Sequence, residues 1–336
     1  MRIEGRLQLV LQPGYEPDRI PAHMDVLIGA GARTASVDGG RIDRALRRGG
    51  TFRASAVYAS RRSLLRPGAQ HTGYADDEHA FGFSRTLRVE LADTARTSEV
   101  IAELQALGAV QTVRPETAAS TLAAPVAAPA EPGPTRDTSR SIVRAAAALA
   151  REPGDERVVV AVVDSGVALG HPELRRKLLA GYDTVDVGAG TIESLEIVGD
   201  SRGPDFNPRD EVGHGTHVAG VIGAQGFEVA RGLGGRALVL PLRVLAAAVP
   251  HTSTRRIGVG ALSDIDCGLK VACDLGAKIF NMSFGTAGSA LGQGVPPPHA
   301  EVVGYAIRAG CILVAAAGNS GKSEAFYPAA HPDVIA

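Results

Sequence analysis

The 336-residue sequence lacks a basic block, a Cys-x-x-Cys pair, a membrane-length apolar run and any Gly-Thr-Ser triplet. Each absence removes a class of function. A formal net charge of −1 without a basic cluster argues against nucleic acid or an anionic membrane as partner. Three cysteines, Cys267, Cys273 and Cys311, are an odd set in apolar helix or strand surroundings, which predicts free buried thiols rather than disulfides or metal ligands. Met1 to Tyr15 holds no sustained apolar stretch ahead of a small-residue cleavage site, so no Sec-type signal peptide is visible. With thiols suited to a reducing compartment, the expectation is a cytoplasmic protein. The longest apolar runs, around Val158–Val163 and Cys311–Ala317, are far too short to cross a bilayer.

What the sequence does contain is a histidine at the mouth of a small-residue helix. In Arg209-Asp-Glu-Val-Gly213-His214-Gly215-Thr-His217-Val-Ala-Gly-Val-Ile222 the glycines permit a tight turn, and Thr216 to Ala224 reads as a thin helix able to lie deep in a core. At the positive end of a helix the imidazolium is disfavoured, so His214 should be neutral and able to accept a proton once a carboxylate orients it. The run Arg157 to Val163 closes on Asp164, which reads as a strand covered on both faces with an acid at its carboxyl end. Two more such strands, Lys278–Met282 and Cys311–Ala317, end in Ser283-Phe284-Gly285 and Gly318-Asn319-Ser320. Three strands thus deliver an acid, a Ser-Phe-Gly segment and an amide to one rim.

These segments resemble the subtilisin-like (S8) serine proteases over about residues 155–336. Val162-Val-Asp164-Ser-Gly166 with His171-Pro-Glu173-Leu174 looks like the family's aspartate motif, and His214-Gly-Thr-His-Val-Ala-Gly220 like its histidine motif. Asn281-Met-Ser-Phe-Gly285 is similar to its substrate-binding strand, and Ala315-Ala-Ala-Gly-Asn319 to its oxyanion segment. The resemblance implies a mostly parallel α/β sheet with helices on both faces, preceded by a small α+β domain. It also implies a serine endopeptidase acting on peptide or protein substrates: His214 as base, Asp164 holding its other nitrogen, Asn319 donating to the oxyanion. Ser283, Phe284 and Gly285 would offer backbone to an extended substrate, and Ala316, Ala317 and Gly318 would wall the pocket before the scissile bond.

The family's nucleophile lies in a Gly-Thr-Ser motif that is absent here. The chain stops at Tyr327-Pro-Ala-Ala-His-Pro-Asp-Val-Ile-Ala336, where the family's sheet continues, so the expectation is a truncated peptidase domain over 141–336, inactive alone. The alternative is a non-catalytic relative that uses the cleft to bind peptides or a partner protein.

Upstream, residues 1–50 receive no assignment. Phe52–Tyr58, Thr86–Leu91 and Val110–Val113 read as strands, and Ser98–Leu107 as an amphipathic helix with Val100, Ile101, Leu104 and Leu107 on one face and Gly108 as its stop. This 51–116 unit looks like the family's inhibitory propeptide, or else an unrelated regulatory domain. Residues 117–140, rich in Ala, Pro and Thr, suit a linker, and Ser141–Arg151 reads as a helix beside the sheet.

Other motifs have duller explanations. His217 is expected to be structural, and His214-x-x-His217 without a His-Glu-x-x-His pattern does not argue for zinc. Ala316 to Ser323 nearly spells a phosphate-binding loop, but the template needs glycine where Ala316 stands. No metal is assigned. Calcium is the cation the resemblance would allow, with Glu173 where some members place a ligand. His251 and His299 are expected in solvated loops. Thr184–Arg209, Ala246–Ser263 and Thr286–His299 read as loop-like inserts that set specificity.

Overall fold

The structure, a computed structural model, describes residues 1–17, 20–28, 33–62, 73–121, 140–188, 190–291 and 295–336. In chain order the strands are β1 (Arg2–Leu11), β2 (Phe52–Ala56), β3 (Thr86–Leu91), β4 (Val110–Ser120), β5 (Val159–Asp164), β6 (Tyr182–Asp183), β7 (Gly190–Ile192), β8 (Leu195–Val198), β9 (Leu238–Arg243), β10 (Ala246–Pro250), β11 (Ile257–Ala261), β12 (Ile279–Met282), β13 (Thr286–Ala287), β14 (Ile312–Ala315) and β15 (Phe326–Tyr327). The helices are α1 (Arg41–Leu46), α2 (Asp76–Ala80), α3 (Thr97–Gln105), α4 (Ala145–Arg151), α5 (His214–Gly223), α6 (Leu262–Asp274) and α7 (Ala300–Arg308).

A parallel sheet in the order β14-β12-β5-β9-β6 forms the centre of the C-terminal part. Its strands are apolar throughout because both faces are covered. Ala161 and Val163 of β5 join the core shared with α6 and α7, while Val162 packs on the other face with Ala219 of α5, Leu174 and Val239. The expected helices on both faces follow from this alternation. Helix α5 is built from such small residues that Gly215, Ala219 and Gly223, one per turn, let it lie close on β5 and β9.

Residues 1–50, to which the sequence assigns nothing, supply β1, the strand between β3 and β4 in an antiparallel sheet. Leu7, Leu9 and Leu11 point into the core at 0–1% exposure, worth roughly 1.5–3 kcal/mol each on burial. Helices α1 and α3 pack together against this sheet, with Val100 and Leu104 buried as the amphipathic pattern requires.

Strand β4 runs past Val113 to Ser120 and pairs with β11, so the sheet continues β2-β3-β1-β4-β11-β10-β8-β7. Two of the expected loop inserts are therefore strands: Thr184–Arg209 contains the β7–β8 hairpin and Ala246–Ser263 contains β10 and β11. The remainder of the expected linker, 122–139, lies outside the described residues, as do 292–294 of the third insert.

The N-terminal unit is seated on α6 and α7. Lys270, 2% exposed, donates to Ala59 O at 2.8 Å, Glu78 Oε1 at 2.6 Å and Asp274 Oδ2 at 2.6 Å. Around it Phe81 and Phe83 meet Tyr305 edge-on, with ring centroids 5.6 and 5.0 Å away. Arg88 of β3 reaches Asp264 and Asp186, and the neutral His23 ring donates from Nε2 to Thr184 O at 2.8 Å. Removing one partner from such a buried set leaves an uncompensated charge, so the two parts are held in one arrangement.

Candidate active site

The parallel strands place their carboxyl ends at one rim. Met282 is in register with both Val163 and Ala315, so Asp164, Ser283 and Ala316 sit one residue beyond at the same level. Asp164 is fully buried and its Oδ1 accepts the Ser165 amide at 2.6 Å. Its two oxygens lie 2.8 and 3.0 Å from His214 Nδ1. That contact fixes the tautomer: Nδ1 carries the hydrogen and Nε2 is left as the basic nitrogen. The His214 side chain is 32% exposed, against 0% for Asp164, so the acid is sealed while the base opens to the rim.

His214 opens α5 after Gly213, whose φ of 93° suits only a residue without Cβ. Gly215 is required by closeness: a Cβ there would lie 2.1 Å from Gly166 O. The helix begins at His214, two residues earlier than the expected Thr216, with Gly213 as its N-cap, and the Asp210 carboxylate takes up amides of its first turn. Asp210 Oδ2 accepts from Thr216 N at 2.9 Å and Thr216 Oγ1 at 2.6 Å, and its Oδ1 accepts from Val212 N, Gly213 N and Ser165 Oγ, each at 2.9 Å. Ser165 Oγ in turn accepts the Gly215 amide at 3.0 Å. Asp210 and Ser165 thus lock the strand end to the helix start. Sequence reasoning missed both, since Asp210 stands three residues ahead of the N-cap Gly213 and its bonds depend on the fold of the intervening turn.

The expectation that the helix end keeps His214 neutral is offset by its partner. The hydrogen bond to Asp164 pushes the imidazole above its ordinary 6.5, burial opposes, and the charges of Asp164 and Asp210 add to the rise.

The other expected site residues are distributed along the same rim. Ser283 Oγ donates to Asn281 Oδ1 at 2.9 Å, and Phe284 is buried against the His299 ring, so this segment presents backbone rather than side chains. Gly285 is already paired: it exchanges backbone hydrogen bonds with Ser120, Ser120 N to Gly285 O at 3.4 Å and Gly285 N to Ser120 O at 3.2 Å. Ala316 is half-buried, Ala317, Gly318 and Asn319 are exposed, and Gly318 has a φ of 110°. Asn319 lies in the loop that follows β14 (Ile312–Ala315), a strand two across from β5 and so roughly 10 Å from it at ordinary strand spacing. The structure therefore bonds Asp164 to His214, and puts Asn319 in the loop leaving the same edge of the sheet, with no hydrogen bond to either. Strand β11, which pairs with the end of β4, was missed. Its Gly-Val-Gly would have been the signal of a close backbone approach, since a Cβ on Gly260 would lie 2.2 Å from Val244 O.

Three expectations need correction or closing. His299 is not solvated: it is 1% exposed and its Nδ1 lies 2.5 Å from Asp266 Oδ1. The segment 316–323 leads into no helix, so it lacks the helix start that a phosphate loop uses. Glu173, the residue the resemblance offers to calcium, has its carboxylate met by hydrogen donors: Gly226 N at 2.7 Å, Glu228 N at 2.5 Å and Val229 N at 3.2 Å. These amides hold it down at about 2, the Glu228 amide most. A cluster that could hold a metal is formed by Asp183, Asp200 and Asp205, whose carboxylate oxygens lie within 4.8 Å of one another. Asp183 there is also bonded by the buried Arg243 guanidinium and by the Val185 amide. The cysteines are free and buried as expected, with Cys273 and Cys311 Sγ atoms 4.0 Å apart. Among the described residues no helix is long and apolar enough to cross a membrane.

The fold is α/β, and at the carboxyl rim of its parallel sheet a buried acid holds an imidazole whose Nε2 is left able to accept a proton. Comparison with known proteins makes the class specific. The model of the subtilase family, peptidase S8, matches residues 155–336, and the chain belongs to that family. It is similar to a thermophilic serine proteinase of Bacillus sp. (strain AK1), 36% identical over 177 residues that cover 53% of this chain and 37% of the relative. It is also similar to thermitase of Thermoactinomyces vulgaris, 32% identical over 180 residues, 53% of each chain. The chain thus spans about half or less of the length of these relatives. The crystal structure of fervidolysin from Fervidobacterium pennivorans, a keratinolytic enzyme related to subtilisin, shares the fold over 99% of this chain and 43% of its own, with a TM-score of 0.58 and 19% identity.

Proposed function

We propose that the chain carries the base, its orienting acid and the substrate cleft of a serine endopeptidase, with the nucleophilic serine supplied from beyond residue 336. The observation that carries this reading is the His214 Nδ1 contact to both oxygens of the sealed Asp164. A serine hydroxyl is too weakly nucleophilic at neutral pH unless a base takes its proton, and a positioned base contributes about 10²–10⁴-fold. His214 Nε2 accepts that proton. Asp164, too buried to find another counter-ion, stabilises the imidazolium. Asn319 is assigned to the oxyanion; the scale of its effect is borrowed from subtilisin itself, where loss of such a donor lowers turnover by about 10²–10³. Ser283 to Gly285 on one side and β11 on the other offer backbone to an extended peptide, with Ala316 to Gly318 as the pocket wall.

On the same reading the N-terminal unit is an intramolecular inhibitor, since Ser120 at the end of its last strand already pairs with Gly285 of that cleft. The test is fluorophosphonate labelling of the protein extended by its downstream coding sequence, with the N-terminal unit removed. Labelling that vanishes in His214→Ala is the expected result. A folded protein that is not labelled favours the non-catalytic reading, and full turnover in His214→Ala rejects this base.

A further inference from the structure

The end of β4 is gripped by backbone from both sides. Ala118 stands opposite Ala261, Ala119 opposite Gly260 and Ser120 opposite Val259 on β11. The Thr121 amide donates to Gly258 O at 2.8 Å, and Ser120 exchanges its two bonds with Gly285 on the far side. Pairing of this kind binds any extended peptide, so selection rests on the space beside the strand.

Successive side chains point to opposite faces, and residues directly opposite across a ladder share a face. Ala119 and Thr121 therefore share a face with Gly260 and Gly258. That face is closed: Ala119 is 1% and Thr121 4% exposed. Its roof is Leu245, itself 0% exposed. A Cβ on Gly260 would come within 2.8 Å of Leu245 Cδ2, and one on Gly258 within 3.1 Å of Leu245 Cβ and 2.9 Å of Thr121 Cγ2. Even a methyl group has no room there. Ser120, on the opposite face, is half-buried.

We propose that this cleft selects extended peptides whose side chains are no larger than threonine at the two positions now held by Ala119 and Thr121, and accepts a larger one between them. The substrates are then segments rich in alanine, serine and threonine, and Leu245 with Gly258 and Gly260 sets the limit. This deepens, and rests on, the peptidase reading.

Two variants of the chain separate the size rule from the chemistry. Hydrogen exchange at the Ser120 and Thr121 amides reports strand occupancy, with β5 amides as the control for global folding. Ala119→Phe is expected to lose protection at least about tenfold, and Ser120→Phe to change it less than about threefold. If Ala119→Phe does not fold, Ala119→Leu is read against Ser120→Leu in its place. Equal protection in the paired variants overturns the size rule. The second arm digests a degenerate peptide mixture with the protein that carries the nucleophile. Small residues enriched at two positions flanking a tolerant one support the rule, and bulky residues enriched at both overturn it. Absence of any cleavage with the exchange contrast intact overturns the peptidase reading alone.

Discussion

Acid should loosen the seat of the N-terminal unit, and one buried histidine sets how much. His23 is 5% exposed and burial pushes its imidazole from 6.5 down to about 3, with the nearby Arg88 charge acting the same way and Asp264 opposing. In the unfolded chain the ring returns to about 6.5. The unfolded state therefore binds the extra proton between those values, and stability rises with pH across the window. The stabilising contribution is complete above about pH 6.5 and is lost as pH falls towards 3. One pH unit is worth about 1.4 kcal/mol, so at about pH 5 the ring should cost roughly 2 kcal/mol. Buried carboxyls such as Asp183, pushed up to about 7, and Glu116, also raised by burial, contribute with the opposite sign, so the wild-type profile alone is uninformative. The measurement is the difference between wild type and His23→Gln, whose amide can keep the bond to Thr184 O. Urea unfolding followed by circular dichroism at pH 7.5 and 5 should show the variant gaining on wild type by roughly 2 kcal/mol at the lower pH. Parallel pH profiles for the two proteins would refute the assignment.

Lys270→Met should destabilise the chain by about 3–5 kcal/mol, because Glu78 and Asp274 are left buried without their cation; a loss under about 1 kcal/mol in denaturant unfolding contradicts that. Asp210→Ala removes the carboxylate that takes up amides at the start of α5 and should cost about 0.5–2 kcal/mol. Since Asp210 also raises His214, the same variant should lower the histidine's titration midpoint in proton NMR, and an unmoved midpoint counts against the lock between strand and helix. Glu173 is held at about 2, so its contribution is present above its ordinary 4.5 and lost as pH falls towards 2. Melting of Glu173→Gln should lack that acid-side decline and should not respond to calcium at this position; an unchanged decline would show that the amides around Glu173 do not favour its charge.

Much of the site was legible because its residues come in short contiguous motifs. Asp164 closes an apolar strand and His214 opens a small-residue helix, and each pattern is complete within a dozen residues. What was illegible depends on partners far away in the chain. Strand β1 looks unpromising because Arg6 and Gln8 interrupt its leucines, yet both are buried against Glu90 and Arg114. The alanines of β10 have weak strand preference and become a strand only by pairing with β8 and β11. His299 looks like any loop histidine until Asp266, 33 residues earlier, is brought beside it. Nothing local marks Glu173 as an anion held by amides, since the donors come from residues 226–229.

One sheet runs without a break from β2 to β7 across the two halves of the molecule. A cut in the backbone just past Thr121 would sever the covalent link yet leave the β4–β11 ladder, the Ser120–Gly285 exchange and the Lys270 cluster untouched. The halves would then stay together as a nicked complex, parting only as fast as all these contacts give way, so scission and liberation would be separate events with separate rates.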